Sequence, residues 1–158
     1  MNDLRVSSPN VKKVLAVASG GGHWVQLLRL REAFVDTQCT YLSVDPEYES
    51  AVSPCVFYAV PEANRETKFN LIIAALKILF VVLKIRPDVV ITTGAAHGYL
   101  AIRFAKIVGA KTMFIDSIAN AEKLSLSGEL AVSHADVMLT QWQALSVEDS
   151  IEYRGSVL

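Results

Sequence analysis

The sequence predicts an α/β protein with a doubly wound parallel sheet, and three observations support this fold class. Six short apolar runs rich in β-branched and aromatic residues are typical of buried strands. Longer segments with apolar residues at helical spacing alternate with these runs, which favours βα units over hairpins. Glycine or polar residues follow several of the runs, at the ends where parallel strands carry binding sites. We therefore expect a Rossmann-like sheet with helices on both faces.

The predicted elements follow one another closely through a single domain that spans residues 1–158. The predicted strands cover 14–18, 39–44, 55–60, 89–93, 111–115 and 136–140. Helices are expected at 23–34, 69–85, 99–108 and 124–134, with turns at glycine, proline or polar residues between them. Residues 1–12 are expected to form a flexible leader, and 62–68 a polar surface loop. The tail, 141–158, is expected to supply either a last strand or a segment that docks a partner.

Composition argues against several classes of function. A net charge of −1 without a basic run gives no electrostatic basis for nucleic-acid binding. Two cysteines, Cys39 and Cys55, and three scattered histidines lack the spacing of a metal site. No metal and no cofactor are therefore expected. The polar N-terminal residues lack the apolar core of a signal peptide, which indicates an intracellular protein with reduced thiols.

The most informative stretch is the corner after the first strand, Ser19-Gly20-Gly21-Gly22-His23. Three glycines allow a turn whose surface is backbone, and the helix that follows presents free N–H groups and a positive dipole end, which suit phosphate or carboxylate. A dinucleotide fingerprint starting at Gly20 needs glycine where Val25 stands, and no Gly-Lys-Ser/Thr triplet of a P-loop occurs. The corner therefore predicts a ligand-facing turn. A plain βα turn with a surface histidine is the alternative.

Two further strand ends, 93–97 and 116–120, carry polar or glycine-containing sequence and complete the predicted site. His23 is the candidate general base, because an imidazole can take a proton from a sugar hydroxyl near neutral pH. A helix-capping surface histidine is the alternative for His23, and His97 is expected either to bind substrate or to cap its helix. The predicted substrate-binding residues are Ser19, Gly20, Gly21, Gly22, Gly94, His97, Ser117 and Asn120.

The most apolar segment runs from Phe69 to Ile85 and is interrupted only by Asn70, Lys77 and Lys84. It is shorter than the roughly 20 apolar residues of a bilayer span, so we do not expect it to cross a membrane. Two interpretations stay open. It is either an ordinary sheet-covering helix or one that also touches a membrane or a partner, with both lysines reaching lipid phosphates from one face.

Three motifs occur in the order Ala18-Ser-Gly-Gly-Gly-His-Trp-Val-Gln-Leu-Leu28, Thr92-Thr-Gly-Ala-Ala-His97 and Phe114-Ile-Asp-Ser-Ile-Ala119. With them the chain resembles the acceptor-side, membrane-recruiting subunit of two-subunit GT-B glycosyltransferases. That group includes the dolichol-linked GlcNAc transferase and bacterial exopolysaccharide and capsule enzymes. The likeness covers nearly the whole chain. Gly21-Gly22-His23 is its most specific part, and the bacterial lipid II-forming GlcNAc transferase has a similar loop.

The resemblance implies a division of labour between two subunits. This chain would supply the N-terminal half of a GT-B enzyme and face a lipid-linked acceptor, while a partner would supply the donor-binding half and share the UDP-sugar. His23 matches the loop histidine proposed as base or acceptor-binding group, and the glycines at 20–22 match the loop that faces the acceptor or donor phosphates. The eukaryotic subunit usually has an N-terminal transmembrane anchor, which residues 1–13 do not resemble.

The expected function is therefore that of a subunit of an inverting, metal-independent glycosyltransferase, inactive without its partner. It would use a donor such as UDP-GlcNAc or UDP-glucuronate to extend a polyprenyl-pyrophosphate-linked sugar in polysaccharide or exopolysaccharide biosynthesis. The expected location is cytoplasmic, peripheral on the inner face of the cell membrane. One alternative is a non-catalytic membrane scaffold that recruits and stimulates the catalytic partner. Another is a nucleotide-binding oxidoreductase, which Val25 argues against.

Overall fold

The computed structural model describes residues 11–62 and 68–157, which form a seven-stranded sheet with helices on both faces. All neighbouring strands are parallel, and their order is β3-β2-β1-β4-β5-β6-β7. The strands are β1 Lys13–Val17, β2 Gln38–Ser43, β3 Val56–Ala59, β4 Val89–Thr92, β5 Lys111–Ile115, β6 Val137–Thr140 and β7 Glu152–Tyr153. The predicted doubly wound sheet is confirmed. Most of the predicted leader and of the loop at 62–68 lies outside the described residues.

The α-helices are α1 Gly22–Arg29, α2 Glu49–Val52, α3 Lys68–Ile85, α4 Ala95–Ala105 and α5 Leu126–Ala131. Short 3-10 helices cover Arg31–Phe34, Pro46–Tyr48, Lys106–Val108 and Gln143–Leu145. In the described part of the chain, no helix has both the length and the apolar character needed to cross a membrane.

The sheet is buried on both faces because successive strand side chains point in opposite directions. On one face, Leu15 and Val17 of β1 belong to a core cluster that α3 and α4 complete. On the other face, Val14 and Ala16 pack with residues of α1. The helix residues in these two clusters are Ile78, Val81, Val82, Ala101, Ile102 and Ala105 on the first face, and Trp24 and Leu27 on the second.

Helix α4 begins at Ala95, four residues before the predicted start, and Gly98 lies inside the helix rather than in a turn. The reason is close packing. A Cβ on Gly98 would collide with Oγ1 of Thr92, so glycine here lets the helix approach β4. The prediction took a packing glycine for a turn glycine.

Two other helices are shorter than predicted. Helix α1 ends at Arg29, and the N–H of Leu30 donates to the carbonyl of Leu27, a tightened turn that leads into the 3-10 helix up to Phe34. Helix α5 begins only at Leu126, because the Oγ of Ser125 accepts from the N–H of Gly128 and so caps the helix.

The tail supplies a last strand, one of the two alternatives that the sequence leaves open. This strand, β7, covers only Glu152–Tyr153 and pairs in parallel with β6. The following backbone packs on the chain itself. The N–H of Val157 donates to Oε1 of Gln141 at 2.7 Å, and Nη1 of Arg29 donates to the carbonyl of Val157 at 3.2 Å.

Candidate active site

The three predicted strand ends lie next to one another, because β1, β4 and β5 are neighbours in the sheet. The strand order reverses between β1 and β4, and a crevice at such a point is the usual ligand site of an open α/β sheet. The loops after β1, β4 and β5 therefore surround one region, as the sequence predicts for residues 19–23, 93–97 and 116–120.

The glycine turn after β1 presents backbone to this region. Gly21 has φ 62° and ψ −131°, a conformation that favours glycine, and it immediately precedes α1. The N–H of Gly21 donates to Oη of Tyr48 at 3.2 Å, and the N–H of Val25 begins the helical hydrogen bonding by donating to Gly21. The N–H groups of the first turn of α1 thus face the site. That turn contains no acidic residue that would repel an anion.

His23 is half-buried on this first turn and is held by Thr93, the residue that follows β4. Its Nδ1 lies 2.8 Å from the carbonyl oxygen of Thr93. Because a carbonyl only accepts, Nδ1 carries the proton in this hydrogen bond, and in the neutral imidazole Nε2 is then an acceptor. The Oγ1 of Thr93 donates in turn to the backbone carbonyl of His23 at 2.7 Å. The first bond orients the imidazole and selects the neutral tautomer that a general base requires, and the second ties the backbone of His23 to the same residue.

Gly94 forms the surface against which the His23 ring packs. Its φ is 124° and its ψ is −167°, a region that is essentially reserved for glycine. A Cβ at this position would lie 2.8 Å from Cε1 and 2.9 Å from Nδ1 of His23. Gly94 therefore has two reasons to be glycine, the backbone conformation and the imidazole beside it. Its predicted contact with substrate stays a prediction.

His97 lies beneath the surface, with 1% of its area exposed. Its Nε2 is 2.9 Å from the carbonyl of Pro61, and Nδ1 has no partner among the described residues. Burial lowers the pKa of this imidazole below its ordinary value of 6.5, since the charged form loses its hydration. The capping alternative is wrong, because no side chain caps the start of α4. His97 holds the chain after β3 in place, and substrate binding by it stays a prediction.

The loop after β5 is organised by Asp116, which is buried. Its carboxylate accepts from Oγ of Ser125 at 2.6 Å, from the N–H of Ser125 at 2.8 Å and from Nδ2 of Asn120 at 3.2 Å. Ser117 is also buried, and its Oγ accepts from the N–H of Ala119 at 3.3 Å. Ser117 and Asn120 thus shape the loop beside the site, and their predicted contact with substrate stays a prediction.

Two buried glutamines that sequence reasoning missed connect α1 to the other strand ends. Gln26 donates through Nε2 to the carbonyl of Gly22 at 3.1 Å and to Oγ of Ser117 at 3.2 Å, and its Oε1 accepts from the N–H of Ile118 at 3.2 Å. Gln141 donates to Oε1 of Gln26 and, at 2.9 Å, to the carbonyl of Asp116. Gln141 directly follows β6, so the strand-end rule applied to that strand would have found it.

Comparison with solved structures shows the same fold in larger proteins. MurG from Acinetobacter baumannii matches with a TM-score of 0.72 and 14% identity, over 92% of this chain and 46% of that one. A UDP-N-acetylglucosamine 2-epimerase from Rickettsia bellii matches with a TM-score of 0.71 and 16% identity, over 94% of this chain and 46% of that one. A glycosyltransferase from Rickettsia africae ESF-5 matches with a TM-score of 0.62 and 16% identity, over 93% of this chain and 43% of that one. The chain spans a little under half the length of these structures. Its fold is that of one half of a GT-B protein.

A family model makes the assignment more specific. Residues 58–157 match the family described as "Oligosaccharide biosynthesis protein Alg14 like", which is well over half of the chain. The chain belongs to this family of Alg14-like oligosaccharide biosynthesis proteins. Among curated proteins, none matches the chain. The matched range begins after the glycine turn, so the role of His23 stays a prediction based on its geometry.

Proposed function

We propose that this chain is the acceptor-binding subunit of an inverting UDP-sugar glycosyltransferase that extends a lipid-linked, polyprenyl-pyrophosphate sugar. The observation that carries the proposal is the fixed His23 imidazole, whose Nε2 is left as an acceptor on the first turn of α1. The site thus combines a proton acceptor with backbone N–H groups suited to phosphate, on a fold that is one half of a GT-B protein.

The proposed step uses His23 as general base. The acceptor hydroxyl attacks the anomeric carbon of the UDP-sugar, and its proton moves to Nε2 while Nδ1 keeps its own proton on the Thr93 carbonyl. The bond from the anomeric carbon to the UDP oxygen breaks, and its electron pair leaves with UDP. Attack opposite to the leaving group inverts the anomeric centre, which gives a β-linkage from an α-linked donor. Donation from Thr93 to the backbone of His23 keeps the base in place during this step.

The proposal includes a second subunit that supplies most of the donor site. The chain spans less than half of the GT-B structures it resembles, and its family implies a partner of the Alg13 type. The tail at 141–158 is the proposed docking segment. Trp142, Val147 and Tyr153 are between 39% and 53% exposed there, so apolar surface is left over although residues near Val157 pack on the chain itself.

A transfer assay tests the proposed activity. The chain alone, the partner alone and the assembled pair are incubated with labelled UDP-GlcNAc or UDP-glucuronate and a polyprenyl-pyrophosphate-linked sugar. Transfer is expected only from the assembled pair, with one of the donors preferred. Transfer by this chain alone would contradict the division of labour.

The variant His23→Ala distinguishes catalysis from scaffolding. Loss of a general base is expected to lower kcat by about 10²–10⁴-fold without loss of assembly. His134→Ala is the matched control, since His134 bonds to the carbonyl of Leu130 at the end of α5 and to Arg103, away from the three loops. Normal turnover of an assembled His23→Ala pair would favour the alternative, a non-catalytic scaffold that recruits and stimulates its partner.

The proposed membrane contact uses the outer face of α3, which we define as Phe69, Ile72, Leu76, Phe80 and Leu83. These side chains are between 47% and 73% exposed, while the opposite face of the same helix is buried in the core. The helix contains lysines and no acidic residue, which suits an anionic membrane surface on the cytoplasmic side. The chain would then lie peripherally on the inner face of the cell membrane, close to its lipid-linked acceptor.

Vesicle binding tests this surface. Phe80→Glu is expected to reduce co-sedimentation with phosphatidylglycerol-containing vesicles about tenfold or more, because it replaces inserted apolar area by a charge. Val35→Glu is the control, since Val35 is 71% exposed and follows Phe34, which packs in the core cluster on the other face of the sheet. Equal losses from both variants would contradict a contact through α3.

A further inference from the structure

A cleft of about 580 Å³ opens next to the glycine turn, beyond the carboxyl ends of β1, β2 and β3. The described residues that line it are Gly20, Gly21, Val44, Asp45, Pro46, Tyr48 and Glu62. Its volume is sufficient for one or two sugar rings. Of the sequence motifs, only the glycine turn after β1 reaches this cleft, and the other walls come from the loops after β2 and β3.

The wall formed by Tyr48 is held in place before any ligand arrives. The Tyr48 ring stacks on Trp24, with centroids 4.7 Å apart and an interplanar angle of 5°. Its Oη accepts from the N–H of Gly21 at 3.2 Å, which joins this wall to the turn that precedes His23. Gly20 lies close to the same wall, since a Cβ there would be 3.2 Å from Cγ2 of Val44 and 3.5 Å from Oη of Tyr48. A preformed wall reduces the entropy cost of binding.

The described lining is rich in acceptors and negative in charge. It contains two carboxylates, Asp45 and Glu62, and no basic side chain. Asp45 is oriented because its Oδ1 accepts from the N–H of Glu47 at 3.0 Å and so caps the 3-10 helix Pro46–Tyr48. Carboxylates accept hydrogen bonds from hydroxyl groups, whereas they repel phosphate and carboxylate ligands. This described part of the lining therefore suits a neutral ligand with several hydroxyls.

We propose that this cleft binds an uncharged sugar ring of the acceptor and selects against a uronic acid or a phosphate at that position. Asp45 is then a specificity-determining residue, and the acceptor's pyrophosphate lies elsewhere, towards the N–H groups of α1. The inference rests on the proposed acceptor role, and it adds the chemical class of the sugar that the cleft accepts.

Binding of simple glycosides to the full ¹⁵N-labelled chain tests the inference without any transfer assay. Methyl β-glucoside is expected to shift the amide signals of Gly20, Gly21 and Tyr48 at millimolar concentration. Methyl β-glucuronide is expected to bind at least tenfold more weakly. In Asp45→Asn, whose amide oxygen still caps Glu47, this preference is expected to shrink to about threefold or less. Glu129→Gln, which removes one exposed charge on α5, is expected to leave the preference unchanged.

Two results would overturn the inference. One is an absence of glucoside-dependent shifts at these three amides, and the other is equal binding of both glycosides to the unaltered chain. Transfer by the assembled pair is measured separately with the lipid-linked acceptor. A failure of the cleft proposal with transfer intact is thus distinguishable from a failure of the proposed activity.

Discussion

Replacing Gly94 by alanine perturbs the candidate base without touching its atoms. Gly94 has φ 124° and ψ −167°, and its Cα faces the imidazole of His23. The added methyl group would lie 2.8 Å from Cε1 of that ring, closer than real Cβ contacts allow. The ring has to move, and with it the hydrogen bond from Nδ1 to the Thr93 carbonyl.

The expected cost has two parts. Holding a non-glycine residue in this backbone region costs about 1–3 kcal/mol. Loss of the hydrogen bond between His23 and Thr93 adds about 0.5–1.5 kcal/mol. Gly94→Ala is therefore expected to lower the free energy of unfolding by about 1.5–4.5 kcal/mol. If the proposed function holds, displacement of the base lowers kcat by about 10²-fold, because proton transfer needs near-exact placement.

Gly109→Ala is the matched control. Gly109 also has a positive φ, 74°, but nothing lies within 4 Å of a Cβ built on it. Its replacement is expected to cost about 1–2 kcal/mol and to leave His23 undisturbed. Urea unfolding gives both free energies, and ¹⁵N NMR of the imidazole nitrogens reports the environment of His23. The reasoning is refuted if Gly94→Ala is no less stable than Gly109→Ala and the His23 signals are unchanged.

Three further predictions concern buried or paired polar groups. Because burial lowers the pKa of His97, the unfolded chain takes up this proton first, so stability is expected to fall as the pH drops below about 6.5. His97→Gln should flatten that slope in urea unfolding at successive pH values, and an unchanged slope would contradict the assignment. The Lys106 ammonium and the Thr112 donors hold the pKa of Asp136 at about 2, so its stabilisation is present above pH 3.8 and is lost as the pH falls towards 2. Asp136→Asn is expected to lower the free energy of unfolding by about 1 kcal/mol at neutral pH and by little at pH 2. The value is modest because the ion pair with Lys106 is partly exposed. Gln26→Leu leaves the N–H of Ile118 and Nε2 of Gln141 without their acceptor, so it is expected to lower the free energy of unfolding in urea by about 1–3 kcal/mol. An unchanged free energy of unfolding would mean that the glutamine pair is dispensable.

The positions of the first six strands along the chain could be predicted from local sequence. A strand such as β1 is buried on both faces of the sheet, so nearly all its residues are apolar. A continuous apolar run in the sequence is the direct result of this burial. Element ends were less accessible. The start of α4 was misplaced because Gly98 serves packing against Thr92, and a sequence does not distinguish a packing glycine from a turn glycine.

The composition of the candidate site was accessible only in part. The rule that binding sites lie at the carboxyl ends of parallel strands predicted both the loop of His23 and the loop of Thr93. It did not find Gln26, whose partners follow β5 and β6, and it did not show that His97 is buried against Pro61. Nor did it find Tyr48, which reaches Gly21 across the end of β2.

By itself, the sequence determined the α/β class, the glycine turn, the candidate base and the apolar character of α3, because each depends on residues within one turn or one strand. The tertiary structure decided which of these meet. His23 and Thr93 are 70 positions apart, and Gln26 and Gln141 are 115 apart. Both pairs form only because the chain crosses from β1 to β4 and winds on to β6. Strand order is a property of the whole core, so the tautomer of the base and the walls of the cleft follow from it rather than from any local pattern.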